Sequence, residues 1–116
     1  MKKNLLYDYS MQLAIEIEIL CKTLKDKDCA NILFQIKKSS SSVAANITEA
    51  QYPQSLADML SKLKIARKEC METEYWLKHL FSSGYISDTV FTKLRNLCGR
   101  IRRMLTSSCI TIEGKL

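Results

Sequence analysis

His79 is the only histidine in the chain, and it stands in the run Trp76-Leu77-Lys78-His79-Leu80-Phe81. A catalytic base needs a partner that orients it and tunes its proton affinity, and the sequence points to none, so His79 is expected to be structural or surface. Glu69, Glu72 and Glu74 are crowded, yet steps of three and two do not place all three on one helical face. The Glu-x-x-His pattern of a di-iron bundle is missing. The cysteines at 21, 29, 70, 98 and 109 form no C-x-x-C pair and, with one histidine, no zinc-ligand spacing. The glycines at 84, 99 and 114 are isolated, so no phosphate-cradling loop is encoded. Neither catalysis nor a bound metal or cofactor is expected.

Polar residues inside apolar stripes say more. Asn46 and Glu49 adjoin Val43 and Ile47, while Arg67 and Glu74 fall seven apart within another apolar stripe. Buried groups of this kind are costly unless mutually satisfied. A structural hydrogen-bond network joining Asn46 and Glu49 to groups such as Arg67 and Glu74 is expected, holding helix register without doing chemistry.

The elements that carry these residues follow from composition and period. The chain has 116 residues, enough for one core, with 47% hydrophobic and 26% charged residues, as in ordinary globular proteins. Only three Gly and one Pro occur, whereas an all-β chain needs turn residues every 8–12 positions. The expected architecture is all-α, an antiparallel up-down-up-down four-helix bundle forming a single domain over 1–116.

The first helix is predicted over about 5–24, with Leu6, Tyr9, Leu13, Ile17, Leu20 and Leu24 on one face. Met11, Ile15 and Ile19 form a second apolar row on nearly the opposite side, which suggests a subunit contact. A second helix is predicted over 30–50. The Ser39-Ser40-Ser41-Ser42 run falls inside it, because apolar periodicity resumes in phase at Val43. Pro53 separates it from a third helix over 55–83, started by Ser55 with Asp58 three residues on and ended at Gly84. That length corresponds to roughly 40 Å, so the bundle should be elongated. Ser87 caps a fourth helix over 87–106, after which 107–116 reads as a tail with Cys109-Ile110-Thr111-Ile112 extended.

Lys and Arg number 18 against 12 Asp and Glu, a net +6. Residues 89–116 hold six basic residues against Glu113 alone, so a net +5 belongs to this last quarter. Lys93 and Arg100 flank the apolar stripe of the fourth helix on one side, Arg95 and Arg102 on the other, with Arg103 beside them. Lys37 and Lys38 are further candidates for contacting phosphates. No aromatic residues are interleaved with these charges of the kind that stack exposed bases. The N-terminal segment turns polar before an apolar leader develops, and no apolar run approaches 18 residues. A cytoplasmic protein with reduced, buried thiols and no membrane contact is expected.

Gln35-Ile36-Lys37-Lys38, followed by Ser42-Val43-Ala44-Ala45-Asn46-Ile47-Thr48-Glu49-Ala50, resembles the hallmark of the bacterial four-helix bundle family. Proteins encoded in intervening sequences of 23S ribosomal RNA genes are among its members. The block Ile65-Ala66-Arg67-Lys68-Glu69-Cys70-Met71-Glu72-Thr73-Glu74-Tyr75-Trp76-Leu77 and the later Gly84-Tyr85-Ile86 are similar to two further family segments. Here Ala50 stands where the family usually has glycine, and the serine run replaces part of a basic, alanine-rich stretch. The resemblance implies a left-handed bundle, often a homopentamer. It also implies kinship with accessory proteins of diversity-generating retroelements, which bind nucleic acid and a reverse transcriptase. Two functions are consistent with the residues. The first is a non-catalytic oligomer that binds structured RNA or another nucleic acid through its basic surface. The second is an interaction scaffold or accessory subunit that makes no direct contact with nucleic acid.

Overall fold

A computed structural model describes residues 4–116; residues 1–3, the start of the N-terminal segment read above, lie outside the described residues. Four helices follow one another: α1 (Leu5–Thr23), α2 (Ala30–Ala50), α3 (Leu56–Ser82) and α4 (Asp88–Glu113). Each packs on its chain neighbours, α4 closes the ring against α1, and the backbones of the diagonal pairs α1/α3 and α2/α4 do not approach as closely. The result is the expected up-down-up-down bundle, 46 × 26 × 21 Å.

The helix starts are chemically specified. Asn4 Oδ1 accepts from the Tyr7 amide at 3.0 Å, Ser55 Oγ from the Asp58 amide at 3.0 Å and Ser87 Oγ from the Val90 amide at 3.2 Å. Each satisfies a donor that the first helical turn leaves without a backbone partner. Asp58 Oδ2 returns the bond by accepting from the Gln54 amide at 3.1 Å. At the far end of α3, Gly84 adopts φ +82°, which lets the Tyr85 amide reach the Leu80 carbonyl and the Gly84 amide reach that of Phe81. This paired closure requires a left-handed residue, which glycine tolerates without strain. The Tyr85 hydroxyl then donates to the Asp28 carbonyl at 2.6 Å, tying the α3–α4 turn to the α1–α2 turn.

Leu13 and Ile17, Ile36, Val43 and Ile47, Leu77 and Leu80, and Ile101 and Leu105 fill the core from all four helices. The serine run is helical throughout, and Ser39 and Ser40 are buried. The Ser39 and Thr73 hydroxyls meet at 2.8 Å between α2 and α3, and each also lies within reach of a carbonyl of its own helix, Ile36 and Glu69 respectively. Small side chains let these two helices approach, and every buried hydroxyl at the contact is satisfied. Ala50 ends α2 in a right-handed geometry, with Gln51 at φ −75°, so no glycine is needed there.

The C-terminal tail differs from expectation. α4 continues unbroken to Glu113, and 107–116 is not an extended segment. Cys109 and Ile112 continue the stripe of Ile101 and Leu105 into the core. Serines and β-branched residues weaken the local helical preference, but tertiary burial of an in-phase stripe overrides it. All five cysteines are buried and unpaired. Among the described residues, no helix is long and apolar enough to cross a membrane, and no group of side chains is arranged to hold a metal ion.

Candidate nucleic-acid interface

The outer face of α4 carries a depression of about 380 Å³ lined by Arg95, Asn96, Gly99, Arg100, Arg102 and Arg103, with Glu74 entering from α3. Gly99 is its floor, buried beneath guanidinium groups. A Cβ there would meet Arg103 Nη1 at 3.3 Å and Arg102 Nη2 at 3.9 Å. Four arginines thus surround one glycine, with a single carboxylate among them.

Three of the four are braced by neighbouring side chains. Arg102 Nε donates to Glu74 Oε2 at 2.8 Å and its Nη2 to Oε1 at 3.4 Å, a fork on one carboxylate. That bond, more than the charge behind it, holds Arg102 still more firmly in its protonated form. Arg95 lies over the Phe91 ring, 5.1 Å from its centroid, and Phe91 stacks on Phe81 at 4.6 Å. Arg100 Nη1 donates to the Tyr9 hydroxyl at 3.1 Å, with its guanidinium 5.2 Å from that ring. Cations over aromatic faces lose little charge toward solvent. Arg103 is exposed and makes no ion pair among the described residues. Lys93, on the same α1-facing border as Arg100, has its Nζ 2.9 Å from Glu16 Oε1 and is locally neutralised.

Lys37 and Lys38 do not join this surface. They are exposed on α2, and α2 lies diagonally across the bundle from α4. Nor do Asn46, Glu49, Arg67 and Glu74 form one network. Asn46 donates to the Ser42 carbonyl and hydroxyl on its own helix. Glu49 pairs with Lys62 at 3.5 Å, Glu74 is taken by Arg102, and Arg67 is half-buried with no ion pair among the described residues. An apolar stripe marks a face without saying which helix borders each edge, so partners on other helices were beyond its reach. Ile15 and Ile19, at 51% and 56% exposure, do form an outward apolar row on α1, with Met11 half-buried at its start.

One feature of the surface was missed from sequence. Tyr75, Trp76 and His79 cluster on α3: Tyr75 and Trp76 meet edge to face at 4.7 Å, and His79 stacks on Trp76 at 5.9 Å. The signal was present in the i, i+4 spacing of Tyr75 and His79 on the side opposite the core stripe. A search for aromatic residues confined to the basic helix overlooks it, because only tertiary packing sets α3 beside α4.

The fold and this surface define an all-α, up-down-up-down bundle whose last helix carries an arginine-rich outer face. The model of the 23S rRNA-intervening sequence protein family matches residues 2–107, and the chain belongs to that family. It is similar to a solved structure described as a protein of unknown function from the S23 ribosomal protein family of Bacteroides thetaiotaomicron VPI-5482. The two share 37% identity and a TM-score of 0.86, over 90% of this chain and 97% of that one. No curated protein matches the chain.

Proposed function

We propose that the protein is a non-catalytic, oligomeric bundle that binds nucleic acid through the outer face of α4. The observation that carries this reading is the convergence of Arg95, Arg100, Arg102 and Arg103 on the Gly99 depression against only Glu74. Phosphodiesters need cations at the surface, and several copies in one assembly multiply a modest patch. The exposed Ile15 and Ile19 supply the subunit contact, and the family resemblance favours a homopentamer. Salt-titrated binding to labelled RNA tests the reading. Affinity should fall linearly with salt on logarithmic axes, with the slope reduced by about one when Arg103→Ala removes a single phosphate contact. Absence of affinity for RNA and DNA at low salt refutes it.

The second reading is a scaffold or accessory subunit, with a reverse transcriptase as the partner type that the resemblance suggests. The apolar row on α1 favours it, as does the neighbouring Glu16, whose Oε2 is buried with no hydrogen-bond partner among the described residues. Ile15→Glu should dissociate the oligomer if the row is a subunit contact, and an unchanged sedimentation profile removes that assignment.

A further inference from the structure

We infer that Tyr75, with Trp76 and His79 behind it, is a stacking platform for unpaired nucleobases, so that the nucleic acid held by the α4 arginines is single-stranded. This rests on the nucleic-acid reading above and narrows it from any polyanion to one class of strand.

Tyr75 is 59% exposed, a large ring left in water on a helix that has a core stripe to hide such groups. It is nonetheless held in place. Trp76 packs against the core, Tyr75 meets it edge to face at 77°, and His79 lies 6.2 Å from Tyr75 one helical turn on. A ring fixed by its neighbours loses little freedom when a base settles on its open face, and base–aromatic stacking tolerates any base because each has a π-face. Beside the ring is a shallow hollow of about 240 Å³ formed by Tyr75, Lys78, His79 and Ser82. It offers one ammonium and one hydroxyl to a phosphate. Lys78 makes no ion pair among the described residues.

The platform and the arginine depression lie on adjoining helices at the same level of the bundle. The interhelix contacts Glu74–Arg102 and Phe81–Phe91 bracket residues 75–80 of α3 against 92–101 of α4. Glu74 lines the depression from α3, and Tyr75, the next residue, is turned about 100° further round the helix onto its exposed face. A strand laid along this junction sets its phosphates toward Arg95 and Arg103 and its bases toward Tyr75. A duplex keeps its bases stacked within the helix and gains nothing from Tyr75. Glu69 and Glu72, at the N-terminal side of the step, repel phosphate, so the strand tracks toward Lys78 and Ser82.

Trp76 is the sole tryptophan, so its fluorescence reports occupancy of the step. The probes are single-stranded oligoadenylate of about twelve nucleotides and an RNA duplex of the same length. Oligoadenylate should quench Trp76 and bind more tightly than duplex. Tyr75→Ala, an exposed site whose loss leaves the core intact, should weaken the single strand roughly tenfold and leave duplex affinity unchanged. Arg103→Ala should weaken both. Equal binding of duplex and single strand, or indifference of oligoadenylate to Tyr75→Ala, overturns the stacking assignment while leaving the nucleic-acid reading in place. Failure of both probes at low salt overturns the nucleic-acid reading as well.

Discussion

Replacing Ile112 and Ile110 separately by alanine distinguishes a helical C-terminus from a loose one. Ile112 is 7% exposed and faces the core, whereas Ile110, two residues earlier, is 65% exposed on the other side of α4. Truncating a buried isoleucine to alanine costs roughly 2–5 kcal/mol. Ile112 borders an open hollow of about 380 Å³ at the bundle end, together with Leu6, Ile47, Met59 and Leu63. Enlarging a space already open to water adds little cavity penalty, which places the cost near the lower limit, about 2 kcal/mol. Alanine's better helix propensity returns roughly 0.4 kcal/mol at either position. The expected outcome is a loss of about 1.5 kcal/mol for Ile112→Ala and no loss, or a slight gain, for Ile110→Ala. Urea unfolding followed by circular dichroism at one fixed protomer concentration measures this as a midpoint lower by about 1 M for Ile112→Ala alone. Unfolding free energies for the two variants that agree within about 0.5 kcal/mol would refute burial of the last helical turns.

Two further outcomes follow from groups shielded from water. Burial first, and then the adjacent Glu72, push the Glu69 carboxyl above its ordinary value of 4.5. A raised folded-state value means the associated stability is present at acid pH and is lost as pH rises through the raised value, so ionising Glu69 destabilises the fold. Glu72→Gln should therefore raise Tm by roughly 2 °C near neutral pH and leave it unchanged near pH 4, measured by thermal melts across that range. A uniform shift at both pH values contradicts the coupling. Burial pushes the Cys21, Cys29 and Cys109 thiols up, and hydrogen bonding with Cys70 followed by burial does the same for Cys98. Thiolate is the reactive form. Ellman's reagent should label the native chain slowly and all five cysteines promptly in denaturant, and rapid native labelling of any one would show that its helix opens locally.

Much of the fold was legible because its determinants are local. The caps Ser55 and Ser87, the stop at Gly84 and the in-phase return of Val43 after four serines each lie within one or two helical turns, so spacing alone places them. The outward row of Ile15 and Ile19 was legible for the same reason, since it needs only the period of one helix. The last two turns of α4 were not, because their serines and β-branched residues disfavour helix locally, and only burial of Cys109 and Ile112 by other helices reverses that.

The candidate site divides along the same line. The sequence by itself determined four amphipathic helices, their order and a basic last quarter, since period, caps and charge are properties of contiguous residues. The tertiary structure alone decided that Glu16 quenches Lys93, that Glu74 grips Arg102, that Lys37 and Lys38 face elsewhere and that the helix carrying Tyr75 borders the arginine-rich one. Those pairings depend on which helix borders which and at what register. Both are set by packing between residues far apart in the chain, where periodicity along a single helix carries no information.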